Sequence, residues 1–247
     1  MKALLVLTLA LVLPAATAPP PSVAKRCYTN VKARTLWFRA SDGTRLDGAE
    51  LGSGPRGVIM LHESPADLCG WAPYGAKLAH DGFHVLLVDL RGYGLSARGP
   101  YGGPRGAIAD VSGAVSELRH LGAKRVALVG ASYGGVNAMV AGPALGSRIV
   151  GVATLSGELD LGQGSSTELN ALAAVKRLRV PLLVLGSRDD RYLDAADAAR
   201  LVHAATHAHP TLVEFDGSVH GWDLLSFTPQ KTRADRALET FLLRVTQ

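Results

Sequence analysis

The chain has 247 residues, 47% of them hydrophobic and 19% charged, with a formal net charge of +5. That length and apolar content suit one globular domain with a large core and do not demand a second. The basic residues are dispersed, with no block of more than two in a row and no nucleic-acid motif. The charge therefore reads as solubility and weak attraction to anionic surfaces, and nucleic acid is not expected as a partner.

The first residues read as a leader. Met1-Lys2 gives a short positive start, residues 3–13 are apolar except for Thr8, and Pro14-Ala15-Ala16-Thr17-Ala18 precedes three prolines. This is the order of a secretory signal peptide, with an apolar run too short to span a bilayer. Ala16-Thr17-Ala18 has the small-x-small form for cleavage after Ala18, but Pro19 just after the cut is usually a poor residue there; Ser22-Val23-Ala24 is the rival site, so residues 1–24 are assigned to the leader and 25–247 to a single domain. Ala24-Lys25-Arg26 before Cys27 is not a lipoprotein box, so no stable membrane anchor is expected after processing. The product would be secreted or periplasmic. Export gives Cys27 and Cys69 a meaning: an oxidising compartment favours a disulfide between them over two free core thiols.

Residues 35–43 read as a strand and turn, with 45–51 as the hairpin partner. Residues 57–62 form a continuous apolar run, the mark of a strand buried on both faces, and 83–89 form the next. Between them a helix is expected over 71–80, stopped by Gly82. Ile108, Val111, Val115 and Leu118, spaced by three and four, predict a helix over 105–121. Further strands are expected at 125–129, 149–156, 180–186 and 211–215, and helices at 168–178, 194–205 and 230–245. Strands alternating with helices at this spacing predict an α/β fold, a mostly parallel sheet of about eight strands covered on both faces.

The stretch from Val126 to Gly135 carries the chemistry. An apolar run leads into Gly130-Ala131-Ser132-Tyr133-Gly134, and a small-residue helix pattern follows, which is the sequence form of a nucleophile elbow. The glycines belong where backbone lies too close for a Cβ. A serine hydroxyl needs a base to become a nucleophile, and the base needs an orienting carboxylate. Asp189-Asp190 follow the strand ending near Gly186, and His220 lies just past the last strand. All three positions fall at carboxyl ends of strands, where open α/β sheets form their sites.

With these residues in view, the chain resembles the α/β-hydrolase fold superfamily, of the cap-less dienelactone-hydrolase and esterase kind. His62 ends the third strand as in that family's H-G motif, and Asp89-Leu90-Arg91-Gly92-Tyr93-Gly94-Leu95-Ser96 matches its D-x-R-G-x-G-x-S turn. The resemblance implies a serine hydrolase with Ser132 as nucleophile, His220 as base and an aspartate as acid. Counting from Gly186 selects Asp189; counting back from the helix start at Asp194 selects Asp190, which is preferred. It also implies an oxyanion hole made by the backbone amides of Tyr133 and of Glu63 or Ser64.

Glu63 departs from the family, which usually has glycine there. A carboxylate aimed inward would oppose the oxyanion, so the side chain is expected to point away; the competing reading has it bind a cationic group or tune activity. His62 is expected to be structural. His203, His207 and His209 cluster without carboxylates at matching spacing, so neither a metal nor another cofactor is expected.

About two dozen residues separate the strand ending near Ser156 from the one starting at Val180, too few for a substantial lid. With Trp71, Tyr133 and Trp222 as apolar walls, the expected substrate is a small carboxylic ester. A thioesterase, a peptidase, a dienelactone-hydrolase-like enzyme and an inactive binding protein of the same fold stay open, and oligomeric state is not legible.

Overall fold

The computed structural model describes residues 18–226 and 228–247, so residues 1–17 of the proposed leader lie outside them. Eight strands form one sheet: β1 (Arg34–Arg39), β2 (Arg45–Leu51), β3 (Arg56–Leu61), β4 (His84–Val88), β5 (Arg125–Ala131), β6 (Gly151–Leu155), β7 (Leu182–Ser187) and β8 (Thr211–Phe215). Their spatial order is β1-β2-β4-β3-β5-β6-β7-β8. The pairs β1–β2 and β2–β4 are antiparallel, and every other neighbour is parallel.

Side-chain alternation explains why the central strands are apolar throughout. Ile59, Leu61, Leu86, Val88, Val126 and Leu128 face one layer, packed by α2 (Gly103–His120), α3 (Tyr133–Leu145), α4 (Ala171–Val175) and α5 (Ala195–Ala204). Val58, Met60, Val85, Leu87, Ala127 and Val129 face the other, under α1 (Ala72–His80) and α6 (Lys231–Thr246). Because successive residues of a strand point to opposite faces, a sheet covered on both sides has no polar face to show. Each large aliphatic side chain so buried contributes roughly 2 kcal/mol.

Two elements differ from expectation. The helix predicted over 168–178 is confined to Ala171–Val175. Leu169–Asn170 instead pairs with Asp160–Leu161 in a two-stranded ladder, and the Asn170 side chain accepts from Ala173 N–H at 2.7 Å, fixing the helix start there. The packed domain also begins before residue 25. Val23 is 1% exposed within the core, and the Thr35 hydroxyl donates to the Pro20 carbonyl at 2.8 Å.

Cys27 and Cys69 form the expected disulfide, with Cα atoms 5.2 Å apart. Beside it, Arg26 meets three carboxylates: Asp47, Asp67 at 2.8 Å and Asp89 at 2.6 Å. The bridge and the ion cluster fasten the N-terminal segment to the loop that follows β3. Between β6 and β7 lie only the small ladder and α4, so no substantial lid covers the sheet's carboxyl end. Among the described residues no helix is long and apolar enough to cross a membrane.

Candidate active site

Ser132 sits between β5 and α3 with φ 46° and ψ −117°, a left-handed conformation that a non-glycine residue holds only when its surroundings impose it. The surroundings are tight. A Cβ at Gly130 would run into the backbone of Gly134, and one at Gly134 would meet the carbonyl of Leu61. Ser132 N–H donates to the Leu155 carbonyl at 2.8 Å, and its own carbonyl accepts from Val136 N–H at 3.0 Å. The turn is thus held by β6 on one side and by α3 on the other. Among the described residues, no hydrogen bond joins Ser132 Oγ to His220.

His220 follows β8 and directs Nδ1 at Asp190, 3.0 Å from Oδ1 and 2.8 Å from Oδ2. Asp190 is 1% exposed, whereas Asp189 is exposed to solvent. Of the two aspartates left open by counting, the structure brings Asp190 to the histidine. Burial alone would raise the Asp190 carboxyl; hydrogen bonds from His220 and from Tyr192 N–H bring it below its ordinary value. For His220, burial lowers the pKa. Asp190's hydrogen bond and the charges of Asp190, Glu63 and Glu158 outweigh it and raise the imidazole above its ordinary value. The Tyr192 ring lies 4.8 Å from the imidazole, centroid to centroid.

The backbone N–H groups of Tyr133, Glu63 and Ser64 lie at the first turn of α3 and in the loop after β3. An N–H in a helix's first turn has no carbonyl within the helix to bond. His62 fixes that loop. Leu90 N–H donates to its Nε2 at 3.1 Å, so Nδ1 carries the proton and donates to the Glu63 carbonyl at 2.9 Å. With its ring fully buried, His62 is pushed toward the neutral form. Glu63 and Ser64 remain alternatives as the second donor.

The side chain of Glu63 corrects an expectation. It does not point away from the site. Its Oε2 accepts from Trp222 N–H at 3.4 Å, and a Cβ at Gly221 would overlap that same oxygen. Burial pushes its carboxyl up to about 7, opposed by His220 and the Trp222 N–H and reinforced by Asp223 and Asp190. The physical reason is the shape of the turn after His220: Gly221, with φ +57°, leaves a space that the Glu63 carboxylate fills.

Trp71 is a second correction. It is fully buried, and its indole N–H donates to the Leu61 carbonyl at 2.8 Å. It stacks edge-on against Trp222 with centroids 5.5 Å apart. Both rings line a cleft of about 280 Å³ with Pro73, Tyr74 and Leu225, and that cleft includes none of Ser132, Asp190 and His220. Trp71 thus supports Trp222 and is not a wall around the serine.

Glu158 and Tyr192 were missed by sequence reasoning. Each stands two residues beyond a site-facing position, Ser156 and Asp190, at a strand's carboxyl end. That placement was the available signal. Among the described residues no group of three His, Cys, Asp or Glu side chains could hold a metal ion.

Residues 58–178 match the family model for the α/β-hydrolase fold. The chain is 32% identical over 120 residues to the bifunctional epoxide hydrolase 2 of Sus scrofa, an alignment covering 49% of this chain and 20% of that protein. It therefore spans only about a fifth of the length of that relative. In three dimensions it is similar to the esterase RhEst1 from Rhodococcus sp. ECU1013 (TM-score 0.71, 17% identity), over 85% of this chain and 99% of that one. It is also similar to the Pyrococcus furiosus esterase Pf2001 (TM-score 0.70, 20% identity), over 93% of this chain and all of that one. Sheet order, elbow and family match agree: the chain is an α/β-hydrolase-fold protein.

Proposed function

We propose that this protein is a serine hydrolase of carboxylic esters, working through Ser132, His220 and Asp190. The observation that carries the reading is the two-oxygen grip of buried Asp190 on His220 Nδ1, together with a serine held at a strained elbow after β5. With Nδ1 engaged, Nε2 is the nitrogen left to take the Ser132 proton as Oγ attacks the ester carbonyl. The Ser–His hydrogen bond is then one that forms with substrate in place, as catalytic contacts often do. The oxyanion develops between the N–H of Tyr133 and that of Glu63 or Ser64. Collapse breaks the acyl C–O bond, and the imidazolium returns its proton to the departing alcohol. Water, deprotonated by the same nitrogen, then releases the acid from Ser132.

The lidless site supports esters of modest size. The esterase neighbours share the fold, and their activity enters here as part of the proposal. The epoxide hydrolase relative does not transfer its reaction, because position 132 is serine where that branch of the fold uses aspartate. Export through the N-terminal leader accompanies the reading, supported by the Cys27–Cys69 bridge.

The test is turnover of a short-chain p-nitrophenyl ester by the wild type and Ser132→Ala, with fluorophosphonate labelling of Ser132. Turnover and labelling that vanish in Ser132→Ala are expected. A wild type no faster than Ser132→Ala, and unlabelled, rejects the proposal. A parallel panel of thioesters and amides separates the related acyl-transfer activities.

A further inference from the structure

Two loops must keep register for the proposed chemistry: the one after β3, which offers the oxyanion amide, and the one after β8, which carries His220. Glu63 joins them. Its backbone belongs to the first loop, with the carbonyl pinned by His62 Nδ1–H at 2.9 Å. Its carboxylate reaches the second, accepting from Trp222 N–H at 3.4 Å and filling the space beside Gly221. The Trp222 ring completes the attachment from the other side, seated over Gly70, where a Cβ would overlap it, and edge-on to Trp71.

The charges around this junction are uneven. Facing His220 are Asp190 from the loop after β7, Glu63 from the loop after β3 and Glu158 from the segment after β6. Glu63 itself feels Asp223, on the turn after His220, and Asp190. Arg191 stacks on the Tyr192 ring at 4.7 Å. Among the described residues Glu63 has no Lys or Arg partner. The cation it faces is His220, and that cation exists in full only while the imidazole holds the Ser132 proton. A half-buried carboxylate beside a transient imidazolium favours the charged intermediate over the resting imidazole.

We propose that Glu63 is a positioning residue for the acyl-transfer reaction, tying the oxyanion loop to the histidine loop and supplying a second carboxylate, beyond Asp190, for the His220 imidazolium. This rests on the serine-hydrolase reading above and adds to it a role for the residue that replaces the family's glycine.

The two parts of the role separate by substitution. Glu63→Gln keeps an oxygen to accept from Trp222 N–H and removes the charge; Glu63→Ala removes both. The measurement is kcat and kcat/KM against pH on one neutral p-nitrophenyl ester, with a thermal melt of each variant to verify folding. Both variants are expected to move the acid limb of kcat/KM down, by roughly half a unit to one unit. Glu63→Ala is expected also to lose roughly tenfold in kcat, because the two loops lose their register. A limb in Glu63→Gln that coincides with the wild type removes the electrostatic role, even if activity falls, since a merely structural contact would not move it. Wild-type kcat in Glu63→Ala removes the tether. A wild type that neither turns over ester nor labels at Ser132 is a different result, which rejects the hydrolase reading along with this one. Wild-type turnover with unmoved variants rejects the Glu63 proposal alone.

Discussion

Asp190 meets His220 Nδ1 with both carboxylate oxygens, at 3.0 and 2.8 Å, while Asp189, one residue earlier, stands in solvent. Adjacent aspartates of identical chemistry thus differ only in where β7 delivers them. Asp190→Asn removes the charge that stabilises the imidazolium and lets the histidine take the wrong tautomer, so kcat/KM is expected to fall roughly a thousandfold or more. Asp189→Asn is expected to stay within about twofold of the wild type, as surface substitutions do. Ester hydrolysis by the two variants side by side checks both; equal losses would contradict the assignment.

The pH profile follows from the direction of the His220 shift. Asp190's hydrogen bond and the charges of Asp190, Glu63 and Glu158 overcome the effect of burial and raise its pKa above the ordinary 6.5. A base must be neutral to accept a proton, so activity is present above the raised value and is lost as the pH falls through it. The acid limb of kcat/KM is therefore expected above pH 6.5. Rates on a neutral ester from about pH 5 to about pH 9 locate it, and a limb below 6.5 would contradict the charge arrangement around the imidazole.

The sheet and the elbow were legible because they rest on short-range rules. A β-branched apolar run signals a strand buried on both faces, and glycines two residues either side of Ser132 signal backbone crowding. The side chain of Glu63 was not legible. Its direction depends on Gly221, more than 150 positions away in the chain, which leaves room for the carboxylate. Trp71 failed as a wall for a similar reason: its indole N–H finds the Leu61 carbonyl, a partner no local pattern names. The helix near 171 is shorter than the sequence predicts because Leu169 and Asn170 pair with Asp160 and Leu161 in a ladder that no local pattern names.

Among the described residues, Arg26 is the one guanidinium paired with Asp47, Asp67 and Asp89. Asp89 is fully buried and also accepts from the N–H groups of Leu68 and Leu95. Removing the cation leaves buried carboxylates facing each other, a change that costs roughly 3–5 kcal/mol. Arg26→Ala is therefore expected to lower Tm markedly. Because protonation relieves uncompensated carboxylates, the loss is expected to be larger at pH 8 than at pH 5. Thermal melts at both pH values check this, and a loss independent of pH would point to packing instead of charge.

The disulfide closes a span of 42 positions. In the chain-entropy account a loop of that size stabilises the folded state by about 4 kcal/mol, or roughly 10 °C in Tm for a domain this long. Cys27→Ser/Cys69→Ser is expected to melt lower by about that amount, as is the reduced wild type. Alkylation mass spectrometry with and without reductant establishes which species is being melted. Two cysteines that alkylate without reductant would remove the bridge from the account.

The mature N-terminus can be argued from packing. Cleavage after Ala24 would delete Val23, which is 1% exposed in the core, and Ser22, whose hydroxyl caps the turn that carries Arg26. It would also remove Pro20, whose carbonyl accepts from the Thr35 hydroxyl on edge strand β1. Cleavage after Ala18 costs less: among these contacts it ends only the one from the Trp37 indole N–H to the Ala18 carbonyl, at the surface. Under the proposed export, packing therefore favours a product beginning at Pro19, against the poor fit of a proline just after the cut. Intact-mass measurement of the protein recovered outside the cytoplasm checks this. A product beginning at Lys25 that folds with full stability would mean that Val23 and its neighbours pack on the domain without contributing to it.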